Sequence, residues 1–372
     1  MALALELVDR GERARIQAIW TELAAVARPS YFLSWPWVEN WLDVLPPDVR
    51  VQLAVVHAGG APSAAFFLGS RRTLRHGFVP SRVRFLNCTG VSDYDKLVIE
   101  YNAWLAADAT LTLRAVLDLL PGHWDELVLP ALDAAAPPGD RLENDLGPYQ
   151  LKVEGRVPCA VVDLERVRAE GDYLKLLSRN GRSQLRRAAK LYAEQGPLRL
   201  EIPATLDAAL AVFAELLELH EKTWRARGEG GAFIPFVRAF HDRLIRRRFD
   251  SGEIQLLRLL SGGDTVGCLY NFVWDGVVYF YQSGIRYQED GRLKPGMLCH
   301  VEAVRHNAAA GHRLYDFLAG DSQYKQSLAT GARDLVWARI QKPLLRFRVE
   351  DALRRFRRWA RARKRGQPVS DR

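Results

Sequence analysis

The run 265-TVGCLYNFVW-274, then Asp275-Gly276, then 277-VVYFYQSGI-285, leaves the chain little choice of local structure. Two alternating apolar segments joined by Asp-Gly form a β-hairpin, because both turn residues tolerate the positive φ that such turns demand. A loop, 286-RYQEDGRLKPG-296, then feeds a helix with the stripe Met297, Val301, Val304 and Ala308, closed by Gly311. The strand 313-RLYDFLAG-320 follows. The first half runs through the same plan: 51-VQLAVVH-57, an AGG turn, 61-APSAAFFLGS-70, 82-RVRFLNC-88, a helix near 102–120, and the strand 125-DELVLPAL-132. The expected class is α+β, two copies of a unit in which antiparallel strands, a helix and a returning strand make mixed sheets flanked by helices. The Pro-rich 136-APPGD-140 reads as a linker. The expected division is therefore 1–150, 151–335 carrying the active site, and a basic tail 336–372.

Composition narrows the class. With 48% hydrophobic and 26% charged residues the chain reads as ordinary globular material with ample core. No apolar run reaches the length of a membrane span. The opening MALALELVDRGERARIQ is apolar only briefly and lacks a basic start and a cleavage site, so the expected location is the cytoplasm. Cys88, Cys159, Cys268 and Cys299 are widely spaced in apolar or strand-like settings, which reads as buried thiols rather than a disulfide or metal framework. His300, His306 and His312 recur every six residues and so fall on different helical faces, and no metal site is expected.

At the N-terminal side, 34-SWPWVENWLDVL-45 places Trp37, Trp41 and Leu45 on one helical face, a core stripe. Between the halves, 173-YLKLLSRNGRSQLRRAAKLYAEQG-196 carries Arg179, Arg182, Arg186 and Lys190 on one face of a helix. Such a stripe is either a solvated face or a holder of phosphates, since each Arg offers paired donors. A second long amphipathic helix, 207–228, ends in Trp224, basic residues and a glycine stop.

Taken in order, 34-SWPWVENWLDVL-45, 93-DYD-95, 178-SRNGRSQLRRAAKLY-192, HEKTWRARG, LKPGML and DFLAGDSQYKQSL resemble the acetyltransferases associated with bacterial cellulose biosynthesis. These are a branch of the GNAT acyltransferases, related to Fem-type transferases that add amino acids to peptidoglycan precursors. The resemblance runs from about Ser34 to Leu328 and implies tandem GNAT-like domains. It implies transfer of an acyl group, acetyl in the first instance, from acetyl-CoA or another acyl-CoA to an amine on a small molecule, glycan or lipid-linked acceptor, as in envelope or exopolysaccharide synthesis. The loop 286–296 lacks the usual Arg/Gln-x-x-Gly-x-Gly/Ala spacing, which leaves an acyl carrier or an aminoacyl-tRNA open as donor. In a Fem-like enzyme the basic stripe would hold tRNA. A non-catalytic scaffold of the envelope-polymer machinery is the third reading.

Acyl transfer to an amine needs a base near neutral pKa, donors for the oxyanion, and a proton for the leaving thiolate. A CoA-like donor also seeks a helix N-terminus for its pyrophosphate. Pro295-Gly296-Met297 opens such a helix, with Arg292 and Lys294 just upstream; the four-residue set Arg292, Lys294, Gly296 and Met297 is the expected donor site, and an ordinary Pro-Gly helix start is the alternative. Tyr281 alternates with Tyr279 along the preceding strand, where its hydroxyl either protonates a thiolate or simply packs. Asp316 interrupts an apolar strand, so it is either a base raised by burial or a structural partner of Lys325. Asp316, Lys325 and Tyr281 are the expected catalytic residues, with Arg182, Trp224, Asp321 and Tyr324 toward substrate.

Twelve Lys/Arg against two acids crowd between Arg339 and Arg365, so the rest of the chain is close to neutral although the formal charge is +9. In that tail Leu345, Val349, Leu353 or Ala352, Phe356 and Trp359 or Ala360 follow helical spacing. A basic helix with such a stripe fits an anionic membrane surface, docking on the body, or nucleic acid; a peripheral membrane location is the expectation.

Overall fold

The computed structural model describes residues 2–350 and 353, apart from 76, 108, 109, 143, 229 and 230. One order of elements occurs twice. The first copy is β1 (Leu3–Asp9), α1 (Arg13–Ala27), α2 (Trp35–Val44), β2 (Val51–Ala58), β3 (Ala61–Arg75), β4 (Val79–Leu86), the short β5 (Leu105–Ala106), α3 (Leu113–Leu119), β6 (Glu126–Asp133) and β7 (Gln150–Asp163). Two linking helices follow, α4 (Leu164–Glu170) and α5 (Arg179–Gln195). The second copy is β8 (Leu198–Glu201), α6 (Leu206–Ala226), α7 (Pro235–Arg248), β9 (Ile254–Ser261), β10 (Asp264–Trp274), β11 (Val277–Ile285), α8 (Pro295–Ala309), β12 (Leu314–Ala319), α9 (Gln323–Leu328) and β13 (Gly331–Gln341). The Asp275-Gly276 turn has φ of 45° and 71°, as its residues demand.

All of these strands join one mixed sheet in the order β1-β2-β3-β4-β6-β13-β7-β12-β11-β10-β9-β8, with β5 on β3. Among the strands, β4–β6 and β11–β12 run parallel, one such pair in each half. The centre of the sheet shows how the halves are tied. β13 lies between β6 and β7, and β7 lies between β13 and β12. Each half's last strand thus borders the other half. The sequence-expected boundary at 150/151 meets the first residue of β7, and that at 335/336 falls within β13.

Helices cover both faces. One continuous core serves α1, α2, α6 and α7 and so spans both halves. Ser34 caps α2 by accepting the Trp37 N–H at 3.4 Å, and Trp37 is driven edge-on against Phe240 of α7 at 4.7 Å and Phe272 of β10 at 5.5 Å. A second core lies under α4, α5 and α8, a third under α3.

Two helices differ from the sequence reading. The one expected over 102–120 is confined to α3, because Tyr101–Ala103 is held in a polar ladder. Asn102 is fully buried and donates to the Leu86 and Pro130 carbonyls, while its own carbonyl oxygen accepts from Asn87. These bonds outweigh local helix propensity. The one expected from Tyr173 starts only at Arg179, after a 3-10 turn, where Ser178 accepts the Gly181 N–H. The four cysteines are free, and among the described residues no helix is long and apolar enough to cross a membrane. Of the basic tail, residues 345–350 are helical and Phe347 and Glu350 are buried on the body; 351, 352 and 354–372 lie outside the described residues.

Candidate active site

β11 and β12 share register only from Val277–Tyr279 to Leu314–Asp316 and then part. Both strands are built to diverge. In β11 the register against β10 jumps from Gln282–Tyr270 to Phe280–Asn271, leaving Tyr281 as an extra residue. In β12 the register against β7 slips between Asp316 and Ala319, where Leu318 takes a φ of 58°. A left-handed leucine costs about 1–3 kcal/mol and persists only when its surroundings enforce it. Here they do. Asp316 Oδ1 accepts the Leu318 N–H at 2.8 Å, and Lys325 Nζ donates to the carbonyls of Leu318 at 3.3 Å and Ala319 at 2.8 Å.

Two of the expected catalytic residues hold this bulge. Asp316 is fully buried, and its second oxygen accepts from the Tyr101 hydroxyl at 2.5 Å. Burial pushes its pKa up to about 6, against the pull of Tyr101 and the Leu318 N–H. Lys325, whose pKa burial lowers, makes no ion pair with Asp316; it binds backbone instead. The expected Asp316–Lys325 pair is replaced by two separate clamps on one bulge, because the αL residue turns its N–H and C=O to opposite partners.

The carboxylate that faces the parting strands comes from the other half. Glu100 Oε2 accepts the Ala319 N–H at 2.6 Å, one residue past the strained leucine. Burial raises its pKa to about 7, with Asp316 adding to the rise and Ala319 N–H and Lys325 opposing it. It is only partly buried, unlike Asp316. Glu100 was missed at the sequence level because VIEYN sits in a loop far from DFLAGD in the chain. No local pattern marks a residue whose partner lies 219 positions away.

Tyr281 stands across the opening. Its hydroxyl lies 3.0 Å from His241 Nε2, and the Tyr270 hydroxyl lies 3.3 Å from His241 Nδ1. Burial drives the His241 pKa down to about 3, so the imidazole is neutral. Burial, and then the charge of Glu100, raise the Tyr281 pKa, so this phenol holds its proton.

Beside Ser283 and Ile285 of β11, a cavity of about 660 Å³ runs between the first turns of α5 and α8 and along α9. The α8 end is chemically unusual. Its N-cap position is Lys294, at φ 47° and without a side-chain cap, and the N–H groups of Gly296 and Met297 find no acceptor among the described residues. A helix start in this condition suits an anion, since its donors and dipole point outward. The equivalent helix of the first half is closed: Thr112 accepts the Ala115 N–H at the start of α3. A Cβ built on Gly296 meets nothing nearer than 3.8 Å, so packing does not require glycine there.

Lys294, Gly296, Met297 and Tyr324 line this cavity. Arg292 does not; it is exposed and closes on Asp290 at 2.7 Å. Arg182 caps the Lys175 carbonyl at 3.0 Å, Asp321 accepts from Gln326 outside the cavity, and Trp224 sits at the end of α6 beside His220. Tyr324 stacks on His300, whose ring reaches Tyr315 at 3.1 Å and is kept neutral by burial, its pKa pushed down to about 3. Among the described residues no group of three or more His, Cys, Asp or Glu could hold a metal ion.

Residues 179–326 match the family model of the acetyltransferase (GNAT) domain. The match lies in the second half. The match supports an acyltransferase. It covers α5, β11 and α8, which line the cavity. Among solved structures, FemX superposes with a TM-score of 0.54 at 10% identity, over 86% of this chain and 95% of that one. A conserved protein of unknown function from Bacteroides thetaiotaomicron gives 0.51 at 10%, over 92% and 100%. A tandem GNAT protein from the clavulanic acid pathway gives 0.46 at 14%, over 91% and 98%. At these identities the likeness is one of fold. No curated protein matches the chain. The match over 179–326 and the repeated element order make the fold a tandem of GNAT-like units.

Proposed function

We propose that the second half transfers an acyl group from an acyl-CoA to an amine, with the donor's pyrophosphate at the start of α8 and the reaction between the parting strands. The observations that carry this reading are the uncapped Gly296 and Met297 amides, which line a cavity reaching Ser283 of β11, and the Glu100 carboxylate on the Ala319 N–H, where β12 leaves β11. Lys294 adds positive charge at the pyrophosphate end. At the other end, Glu100 at a pKa of about 7 takes a proton from the incoming ammonium. The amine nitrogen then bonds to the carbonyl carbon. The β11 edge beyond Tyr279, without a strand partner on that side, offers backbone amides to the oxyanion. As the carbonyl re-forms and the C–S bond breaks, Tyr281 supplies a proton to the leaving sulfur and regains the one that the nitrogen sheds on becoming an amide, and His241 orients its hydroxyl. Asp316 and Lys325 act on this scheme only by holding the bulge. Membership of the cellulose-associated branch, and an envelope or exopolysaccharide acceptor, belong to the same proposal.

Thermal melting with three ligands tests it. Acetyl-CoA raises the melting temperature, while acetyl-pantetheine, which lacks the pyrophosphate, has little effect. Equal effects of the two would remove the α8 anion site from the account. One observation favours a second reading, an aminoacyl-tRNA donor: Arg179, Arg186 and Lys190 are exposed on α5, whose first turn lines the same cavity. Stabilisation by aminoacyl-tRNA and none by acetyl-CoA would select it.

A further inference from the structure

The hairpin of β3 and β4 carries a face that serves neither the core nor the cavity. Arg72 lies directly opposite Arg82 and Leu74 directly opposite Pro80, so these four share one side. Like charges placed opposite each other destabilise a strand pair. Yet neither guanidinium has a carboxylate within ion-pair distance among the described residues. Both arginines border a cavity of about 440 Å³, together with Leu74, Asp125 and Arg346. Its one acid is already used: Asp125 pairs with Arg346 at 2.6 Å and accepts the Arg82 N–H at 2.7 Å.

The helical turn at 345–350 is fastened beside this cavity. Phe347 is buried beneath the Arg75 guanidinium, and Glu350 meets Arg75 through two bonds of 3.0 Å. That anchoring sets the opposite side of the turn outward. Leu345 is 74% exposed, Val349 50% and Leu353 47%, at i, i+4 and i+8, and Leu74 on the hairpin is 64% exposed. Exposed Arg348 flanks the stripe. A soluble chain that only docked its tail would turn those leucines inward; here Phe347 and Glu350 do the docking instead.

We propose that the β3–β4 hairpin and the turn beginning at Leu345 form a docking surface for a bilayer that carries anionic phospholipid. Leu74, Leu345 and Val349 enter the boundary between headgroups and acyl chains, and Arg72 and Arg82 take lipid phosphates. The charge fits such a surface: uncompensated arginines ring isolated apolar side chains, and eight further Lys/Arg follow Leu353 by Arg365. The inference does not depend on the transfer chemistry.

The test is flotation of the full chain with vesicles of phosphatidylcholine alone or mixed with phosphatidylglycerol. The protein floats with the anionic vesicles only, and added salt weakens it. Arg72→Gln/Arg82→Gln lowers partition about thirtyfold, from the usual worth of a basic residue at such a surface. Leu74→Asn/Leu345→Asn/Val349→Asn lowers it as well, and both variants melt as the parent does. Equal flotation with neutral vesicles overturns the proposal, as does displacement by inorganic phosphate at matched ionic strength. So do variants that float like the parent, including the case in which only truncation after Leu353 abolishes binding.

Discussion

Replacing Glu100 with glutamine removes a charge while keeping an acceptor for the Ala319 N–H. In the folded protein this carboxyl has a pKa of about 7 against its ordinary 4.5. The folded state therefore binds the proton more tightly than the unfolded chain does. The stability that comes with the protonated carboxyl is complete below pH 4.5 and is lost as the pH rises through about 7. At about 1.4 kcal/mol per pH unit, the parent gives up about 3 kcal/mol across that window. Glutamine has no proton to lose and keeps that amount. Urea denaturation at a series of pH values reads the difference directly. Glu100→Gln is more stable than the parent by up to about 3 kcal/mol at about pH 8, and the gap closes toward pH 4.5. A single variant that gains stability as it loses its function is the signature of a charge held where folding alone would not put it. Parallel curves, or a variant less stable than the parent at about pH 8, would refute the burial argument for this residue.

Asp316→Asn behaves in the opposite way: an amide cannot accept from both Tyr101 and the Leu318 N–H as the carboxylate does, so stability falls by about 1–3 kcal/mol by denaturation while donor binding persists. Gly296→Val leaves the melting temperature nearly unchanged, given the open space around that position, but raises the Kd for acetyl-CoA at least about tenfold by calorimetry, as loss of one anion contact costs about 1.4 kcal/mol or more. Tyr281→Phe costs about 1 kcal/mol through the lost bond to His241 and slows transfer more than it weakens binding, seen as a fall in kcat at constant KM.

The repeat of the fold was legible because its cues are local. Asp275-Gly276 makes its hairpin from two residues, and the Met297–Ala308 stripe makes α8 from its own spacing. The strands β7 and β13 escaped, since what makes them strands is their pairing with each other and with β6 and β12. The site divides in the same way. Lys294, Gly296 and Met297 could be named from the helix start that they form. Asp316 was conspicuous as a polar residue in an apolar strand and Lys325 as its nearby cation, but their partners depend on the φ of Leu318, which no pattern announces for a leucine. Arg292 looked free for phosphate until its turn brought it back onto Asp290. Glu100 and Tyr101 reach the opening only by the packing of the first half against the second, and His241 reaches it from α7, 40 residues before Tyr281.

The central claim is that Glu100 accepts the acceptor's proton at the parting of β11 and β12. Thiol release from saturating acetyl-CoA, followed across pH with a reactive amine acceptor, measures it. The account predicts a rate that falls below a pKa near 7 in the parent, and a Glu100→Gln variant about 10²–10⁴-fold slower without that limb. A Glu100→Gln variant with the parent's rate, or with the limb intact, contradicts it.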